Sequence, residues 1–429
     1  MSFKTGSDSI IVNNELVFYN TNDFNSTDGI SGSTVTLDIP SPIGNDQFGY
    51  SVAVGNDLIV VGAPNAKSGN TGAVYVFELD GTYKFELTAS DASTGDYYGG
   101  SVAVGCGRIV VGAYSNDPYG VIYIYDLDGS NERKIDYKSS LGRSDSNPER
   151  FGWAVAVGHG RIVVGDPRAG SVNEGNAYIL DLEGRELQRL QRMGVYEDST
   201  YGPTAGGQFG YSVAIGCGRI AVGAYIDEYP DGPAPGYDQG AVYIYDLYGN
   251  FIEKIGPDDL TSDPNTENNI QINFGYSVAI GGGKLAVGCE SWPDFYDDTG
   301  AVYIYDLNGN REQVVKDDPA DEQATSRLGH SVAAGDGRIV GGDPAWMIQS
   351  LNDGRAILLN HSGTKLEEKD EDDETDASMN YGWSVAIGSG KLIAGAFRAD
   401  GSFSQQGKVF VYNVNRYDHL LDFDKSIVA

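Results

Sequence analysis

The chain of 429 residues predicts an all-β fold, a seven-bladed β-propeller of four-stranded antiparallel blades whose ring is closed by an N-terminal strand. First, an aromatic-Gly or Leu-Gly dipeptide recurs at Phe48-Gly49, Tyr98-Gly99, Phe151-Gly152, Phe209-Gly210, Phe274-Gly275, Leu328-Gly329 and Tyr381-Gly382, with steps of 50, 53, 58, 65, 54 and 53 residues. Self-similarity on that scale marks a propeller or solenoid. Second, each full repeat carries four short strand signals parted by Gly-rich turns, the make-up of one blade. Third, the last repeat lacks its fourth strand while a matching one precedes the first repeat.

Residues 1–33 are not a repeat. Ile10-Ile11-Val12 and Leu16-Val17-Phe18-Tyr19 flank Asn13-Asn14 and read as a hairpin. The polar stretch Asn20 to Ser33 reads as a linker. Within the first repeat, Ser51 to Val54 is a strand of small and β-branched residues and Gly55-Asn56-Asp57 a tight turn. Leu58-Ile59-Val60-Val61 is an apolar run suited to burial on both faces. After a loop over Pro64 to Thr71, Ala73 to Phe77 alternates small, aromatic and β-branched residues. Asp80-Gly81 reads as a two-residue hairpin turn before a fourth strand from Thr82 to Leu87.

Both turns recur. The hairpin returns as Asp128-Gly129, Glu183-Gly184, Tyr248-Gly249, Asn308-Gly309 and Ser362-Gly363, and only its Gly is constant. The first turn returns as Gly105-Cys106-Gly107, Gly158-His159-Gly160, Gly216-Cys217-Gly218, Gly281-Gly282-Gly283, Gly335-Asp336-Gly337 and Gly388-Ser389-Gly390. Gly suits such turns because they need positive φ. The seventh repeat ends after Lys408 to Tyr412. The segment Thr34 to Ile39 aligns with the fourth strand of an ordinary repeat, so it is expected to complete the last blade and remove an open edge. The expected organisation is an arm over 1–33, the propeller over 34–415 and a tail over 416–429.

Composition narrows the function classes. The 29 Lys and Arg stand against 61 Asp and Glu, a net charge of −32. This disfavours nucleic-acid partners, whose phosphates need clustered cations, and anionic membrane surfaces. A solvated acidic coat, multivalent cation binding and adaptation to a saline habitat all remain open. No window approaches 18 consecutive apolar residues, so no membrane insertion is expected. The start MSFKTGSDSII lacks the pattern of a signal peptide, so the chain is expected to stay where it is made or to leave by assembly or lysis. Cys106, Cys217 and Cys289 form no disulfide or zinc framework and read as reduced thiols.

On the Phe-Gly starts and on Gly62-Ala63-Pro64, with looser forms such as Gly112-Ala113-Tyr114, Gly165-Asp166-Pro167, Gly342-Asp343-Pro344 and Gly395-Ala396-Phe397, the repeats resemble the FG-GAP family. That repeat builds the head of integrin α-subunits and many bacterial and phage proteins. The resemblance covers about Thr34 to Asn415, implies a seven-bladed propeller, and is nearer the prokaryotic form. The calcium loop of integrin-type repeats is not carried over, because a three-residue turn is too short to supply several oxygen ligands; no metal or other cofactor is expected. The N-terminal SDSIIVNNELVFYN ahead of such repeats is also similar to virion proteins of marine tailed phages.

In a four-stranded meander the first-to-second and third-to-fourth turns share one face of the ring, here the plain face. The second-to-third and blade-to-blade connections share the other, and they hold nearly all the length variation. Binding residues concentrate on variable loops carried by a rigid scaffold. The richest loops there are Tyr225 to Gln239 and Glu290 to Thr299, which mix aromatics with carboxylates suited to sugar stacking, protein contact or a weak cation site. The candidate binding residues are Tyr225, Asp227, Tyr229, Tyr237, Trp292, Asp294, Phe295, Tyr296 and Trp346; packing of the aromatics and solvation of the acids is the competing reading. The acidic run Glu367 to Asp376 reads as a loop between blades.

Catalysis finds little support. The four histidines are His159, His330, His361 and His419, no GxSxG, HExxH or P-loop pattern occurs, and 61 acids make any carboxylate pair uninformative. His330 takes the place of the aromatic residue that follows Phe-Gly at Tyr50 or Trp153, which points to packing. The expected function is therefore a non-enzymatic structural or binding propeller of a phage particle, assembled in the host cytoplasm, with other virion proteins or a host-surface receptor or glycan as partners and homo-oligomers open. The alternatives are a lectin or carbohydrate-active enzyme using the same face, and an extracellular adhesion protein.

Overall fold

The computed structural model describes residues 8–12, 15–19, 29–116, 119–138, 140–142, 150–170, 173–190, 192, 206–227, 239–257, 272–293, 298–316, 326–345, 347–348, 351–352, 354–370, 379–401 and 403–414. Seven four-stranded antiparallel sheets follow one another along the chain. In blade one the strands are Ser51–Gly55, Leu58–Ala63, Ala73–Glu78 and Tyr83–Leu87, close to the expected bounds. The first strands of the blades, from Ser51–Gly55 to Tyr381–Gly388, each neighbour the next, and the last neighbours the first. They line the centre of a closed ring.

The last blade is completed from the other end of the chain. Its order is Ile30–Leu37, Lys408–Val414, Lys391–Ala396, Tyr381–Gly388. The closing strand begins at Ile30, earlier than the expected Thr34. Ile30 and Ser31 pair with Val414 and Asn413, the register slips, and Val35 to Leu37 pair with Val411 to Val409. Gly32, Ser33 and Thr34 fall in the slip, which is why the polar stretch ending here resembles a linker.

The apolar core is divided among seven clusters, each between neighbouring blades. One joins Ile59, Val61 and Tyr75 of blade one to Ile393, Val409 and Val411 of blade seven; the next joins Val60 and Val74 to Val111 and Tyr123 of blade two. Both faces of each middle strand are therefore covered, which explains runs such as Leu58-Ile59-Val60-Val61, all buried.

The repeated motif builds the seam between blades. The aromatic of the Phe-Gly pair is fully buried and meets third-strand tyrosines edge-on, as in Phe48 with Tyr75 at 5.7 Å and Phe209 with Tyr243 at 5.2 Å. The Gly that follows has φ between +82° and +93° in all seven copies. Its carbonyl lies so close to the Gly of Gly-Ala-Pro in the preceding blade that a Cβ there would collide with it, as at Gly62 against Gly99. The same carbonyl accepts a hydroxyl from the preceding blade, Ser51 to Gly99 at 2.8 Å and Ser384 to Gly49 at 2.7 Å across the closure. In blade three Ala154 stands where the others carry Ser.

The plain face is tight throughout. The first turns are two-residue turns with both central residues at positive φ, as at Cys106 (51°) and Gly107 (76°), the geometry hairpin twist favours. The Asp-Gly hairpins differ from the two-residue expectation. Gly81 N–H donates to Glu78 O at 3.0 Å, Glu78 N–H donates to Thr82 O at 2.9 Å, and the register slips between Val76 and Phe77. This is a turn closed by a bulge, with Gly81 supplying φ of +91°. Each such Gly packs on the outer strand of the preceding blade, Gly184 against Ile135 and Gly81 against Val35 and Leu37. The contact at Gly81 shows the closing strand in the role of an ordinary outer strand.

Two expected loops are partly strand. Trp292 pairs with Thr299 and Pro293 with Asp298, so the loop after Glu290 is shorter than its composition suggested. Glu367 and Glu368 belong to the outer strand Lys365–Lys369 of blade six, where Glu368 accepts from Arg355 at 3.0 Å; partnered acids thus begin a run that looks uniformly solvated. Residues 371–376 of that run lie outside the described residues. Asp8–Val12 and Glu15–Tyr19 form the expected hairpin as a separate two-stranded sheet.

Candidate functional site

Each first strand runs from the long-loop face toward the plain face. The residue just after Phe-Gly therefore stands at the long-loop mouth of the channel. These residues are Tyr50, Gly100, Trp153, Tyr211, Tyr276, His330 and Trp383, and six of them supply rings. They form a chain of contacts around the mouth: Tyr50 to Trp383 at 5.7 Å, Trp383 to His330 at 4.2 Å, His330 to Tyr276 at 5.1 Å, Tyr276 to Tyr211 at 5.0 Å and Tyr211 to Trp153 at 5.4 Å.

The gap at Gly100 is filled from elsewhere. Tyr114 of the Gly-Ala-Tyr motif occupies the space that a side chain at residue 100 would take. It lies 4.8 Å from Trp153 and interacts with Tyr50, closing the circle. Outside it, Tyr97 stacks on Tyr114 at 5.8 Å, and Phe397 lies 4.6 Å from Trp383. Burial raises the titration points of Tyr50, Tyr114, Tyr211 and Tyr276 above that of free tyrosine, so these phenols stay neutral at physiological pH.

Charge is set into this aromatic ring at two places. On one side, the buried Glu290 accepts from Arg327 at 3.2 Å and meets Nδ1 of His330 at 3.2 Å. Burial alone would raise its titration point; His330, Arg327 and Tyr276 together outweigh that and hold it below the usual carboxylate range. On the other side, the Arg150 guanidinium lies over Trp153 at 4.8 Å and over Tyr114 at 5.6 Å, a favourable cation–π placement.

Blades three and six carry Asp where the others carry Ala or Cys after the seam Gly, and this bears on the arginines. Asp166 Oδ1 accepts from Arg150 N–H at 2.8 Å, and Asp343 Oδ1 accepts from Arg327 N–H at 2.7 Å. Elsewhere the residue before Phe-Gly has positive φ, as at Gln47 and Asn273. The Gly-Asp-Pro variants thus hold an arginine at the edge of the mouth.

Among the expected binding residues, Tyr225 joins the mouth, 4.3 Å from Tyr211 and 5.6 Å from Tyr276. Asp227 is placed differently. It is 3% exposed, pairs with Arg192 at 2.7 Å and Lys254 at 3.2 Å, and accepts from the Tyr243 hydroxyl. Its carboxylate is therefore consumed in anchoring the base of its loop. Trp292 is described only as a strand residue paired with Thr299. Tyr229, Tyr237, Asp294, Phe295, Tyr296 and Trp346 lie outside the described residues.

The mouth ring was missed as a site, although its signal is visible: the residue after Phe-Gly is Tyr, Trp or His in six of seven repeats. The seventh, Gly100, has its compensation in Tyr114, fourteen positions later, which no local pattern reveals. Among the described residues no three His, Cys, Asp or Glu side chains converge as a metal-binding group.

Ring, seams and mouth define the class as a seven-bladed β-propeller with an aromatic opening. The family model of the FG-GAP repeat matches residues 43–77, 84–125 and 202–245. These matches, together with the seven blades, support the FG-GAP repeat family for this chain.

Proposed function

We propose that this propeller is a non-enzymatic binding module of a phage particle, mounted by its plain-face side and presenting the aromatic mouth to a partner. A binding or structural role accords with the FG-GAP repeats. The observation that carries the orientation is where the chain enters and leaves the ring. Ile30 and Val414 pair with each other, and both stand at the plain-face edge of blade seven. The chain thus enters the closing strand, at Ile30, on the side away from the mouth. The plain face offers short turns, while the mouth offers rings, arginines and variable loops, so mounting and recognition are separated by the thickness of the ring.

Quantifying the chain in purified particles tests the assignment. A fixed stoichiometry in virions, with the arm cross-linked to another particle protein, is the expected result; absence from particles would sink it. A second reading, a lectin using the same mouth, is favoured by aromatic rings set beside guanidiniums. A glycan array run with and without calcium addresses it, and no signal in either condition counts against it.

A further inference from the structure

The two charged sides of the mouth are not equivalent. Glu290 neutralises Arg327 on one side. On the other, Arg150 and Arg168 lie near enough for the charge of one to act on the other, and among the described residues no carboxylate forms an ion pair with either. Their proximity is built in. Arg150 N–H is tied to Asp166 at 2.8 Å, and Arg168 follows two residues later, exposed. Asp166 itself is fully buried, one oxygen turned to the Arg150 backbone.

Placing two guanidiniums together is unfavourable, and in a chain with 61 acids and 29 Lys and Arg an acidic neighbour would have been easy to supply. The effect registers on Arg150: burial, and then repulsion from Arg168, weaken its hold on its proton. A bound anion would relieve this repulsion. The pair also borders flat apolar surface, because Arg150 lies on Trp153 and Tyr114, and Trp153 continues into Tyr211 and Tyr225.

Resting on the reading of the mouth as the binding face, we propose that Arg150 and Arg168, with Trp153, Tyr211 and Tyr225, bind a terminal sugar bearing one carboxylate, a uronic acid. The guanidinium fork matches a carboxylate in two parallel hydrogen bonds, and the aromatic faces suit the C–H face of a pyranose ring. The chain's charge of −32 repels extended polyanions, which favours a single terminal acid over nucleic acid or a highly sulfated polymer. A short acidic peptide would satisfy the arginines and leave the rings without a flat partner.

The test is a titration of the full-length protein, at low and moderate salt, with a glucuronate-terminated disaccharide, its neutral methyl ester and an acidic peptide, read by tryptophan fluorescence and calorimetry. The acid is expected to bind at least tenfold more tightly than the ester, with the preference shrinking as salt rises. Arg168→Gln, an exposed position whose folding is checked by its melting curve, is expected to lose at least tenfold. Arg150→Gln should do the same and alter the fluorescence response. Equal binding of acid and ester, unchanged affinity in Arg168→Gln, or preference for the peptide would overturn the inference. Overturned binding in a protein still present in particles leaves the particle assignment standing; uronate binding by a protein absent from particles does the reverse.

Discussion

On the plain face, turn after turn repeats one solution, and the side chain at its centre reaches the next blade. Cys106 Sγ accepts from Gly160 N–H at 3.4 Å, His159 Nε2 from Gly218 N–H at 3.4 Å, Cys217 Sγ from Gly283 N–H at 3.4 Å and Asp336 Oδ2 from Gly390 N–H at 2.6 Å. On the mouth face the same repeat holds Tyr, Trp, His or an imported Tyr at one position and Gln, Asn, Tyr or Arg at the position before the seam. The plain face keeps backbone geometry and lets chemistry vary: four turns place an acceptor, while Gly282 of blade five has no side chain and the His361 ring fills the space beside it. The mouth keeps a ring system and varies the charge around it. Two rules of variation, applied to one repeat, separate scaffold from recognition.

The sharpest way to break this contrast is to strain the plain face and relax the mouth. Gly184→Val places a branched side chain at φ of +85° against Ile135. It is expected to cost about 3 kcal/mol from backbone strain and overpacking combined, measured as a lowered midpoint in urea unfolding. Arg168→Gln, exposed at the mouth, should stay within about 0.5 kcal/mol of the parent in the same experiment.

Alkaline pH strains the mouth as a whole. The phenols of Tyr50, Tyr114, Tyr211 and Tyr276 have folded-state titration points raised by burial. Their contribution to stability is full below the unfolded value near 10 and is lost as pH rises above it toward the folded values. The melting temperature should therefore fall steadily above pH 10, and phenolate absorbance from these rings should appear together with unfolding. Phenolate forming fully while the fold stays intact would show the mouth to be open to water.

The smallest effect belongs to a side-chain staple. Cys217→Ser keeps an acceptor on a shorter reach to Gly283 N–H and is expected to cost less than about 1 kcal/mol, again from urea unfolding. A larger loss would mean that the thiol contributes packing as well as an acceptor.

Much of the ring was legible because each blade states its strands locally and the repeat states the count. The closing strand was legible from Val35 and Leu37, which carry the pattern of an outer strand; Gly32, Ser33 and Thr34 hid its beginning because a bulge tolerates polar residues. The mouth was less legible. Tyr50, Trp153 and His330 looked like separate packing residues, since their proximity depends on ring closure, and Gly100 with Tyr114 is a three-dimensional exchange. Asp227 looked like a ligand-facing acid because its partners, Arg192 and Lys254, come from an interblade stretch and an outer strand that the sequence does not place beside it.

The pairing of Ile30 with Val414 also bears on how the ring would carry force. Tension between the arm and the tail would act at one end of the last hydrogen-bonded ladder and part its bonds in succession. Tension between the arm and an object held at the mouth would run along the closing strand and strain its bonds together in shear. A ring loaded in the second way resists where it would yield to the first, so the route of attachment decides whether its joint behaves as a zipper or as an anchor.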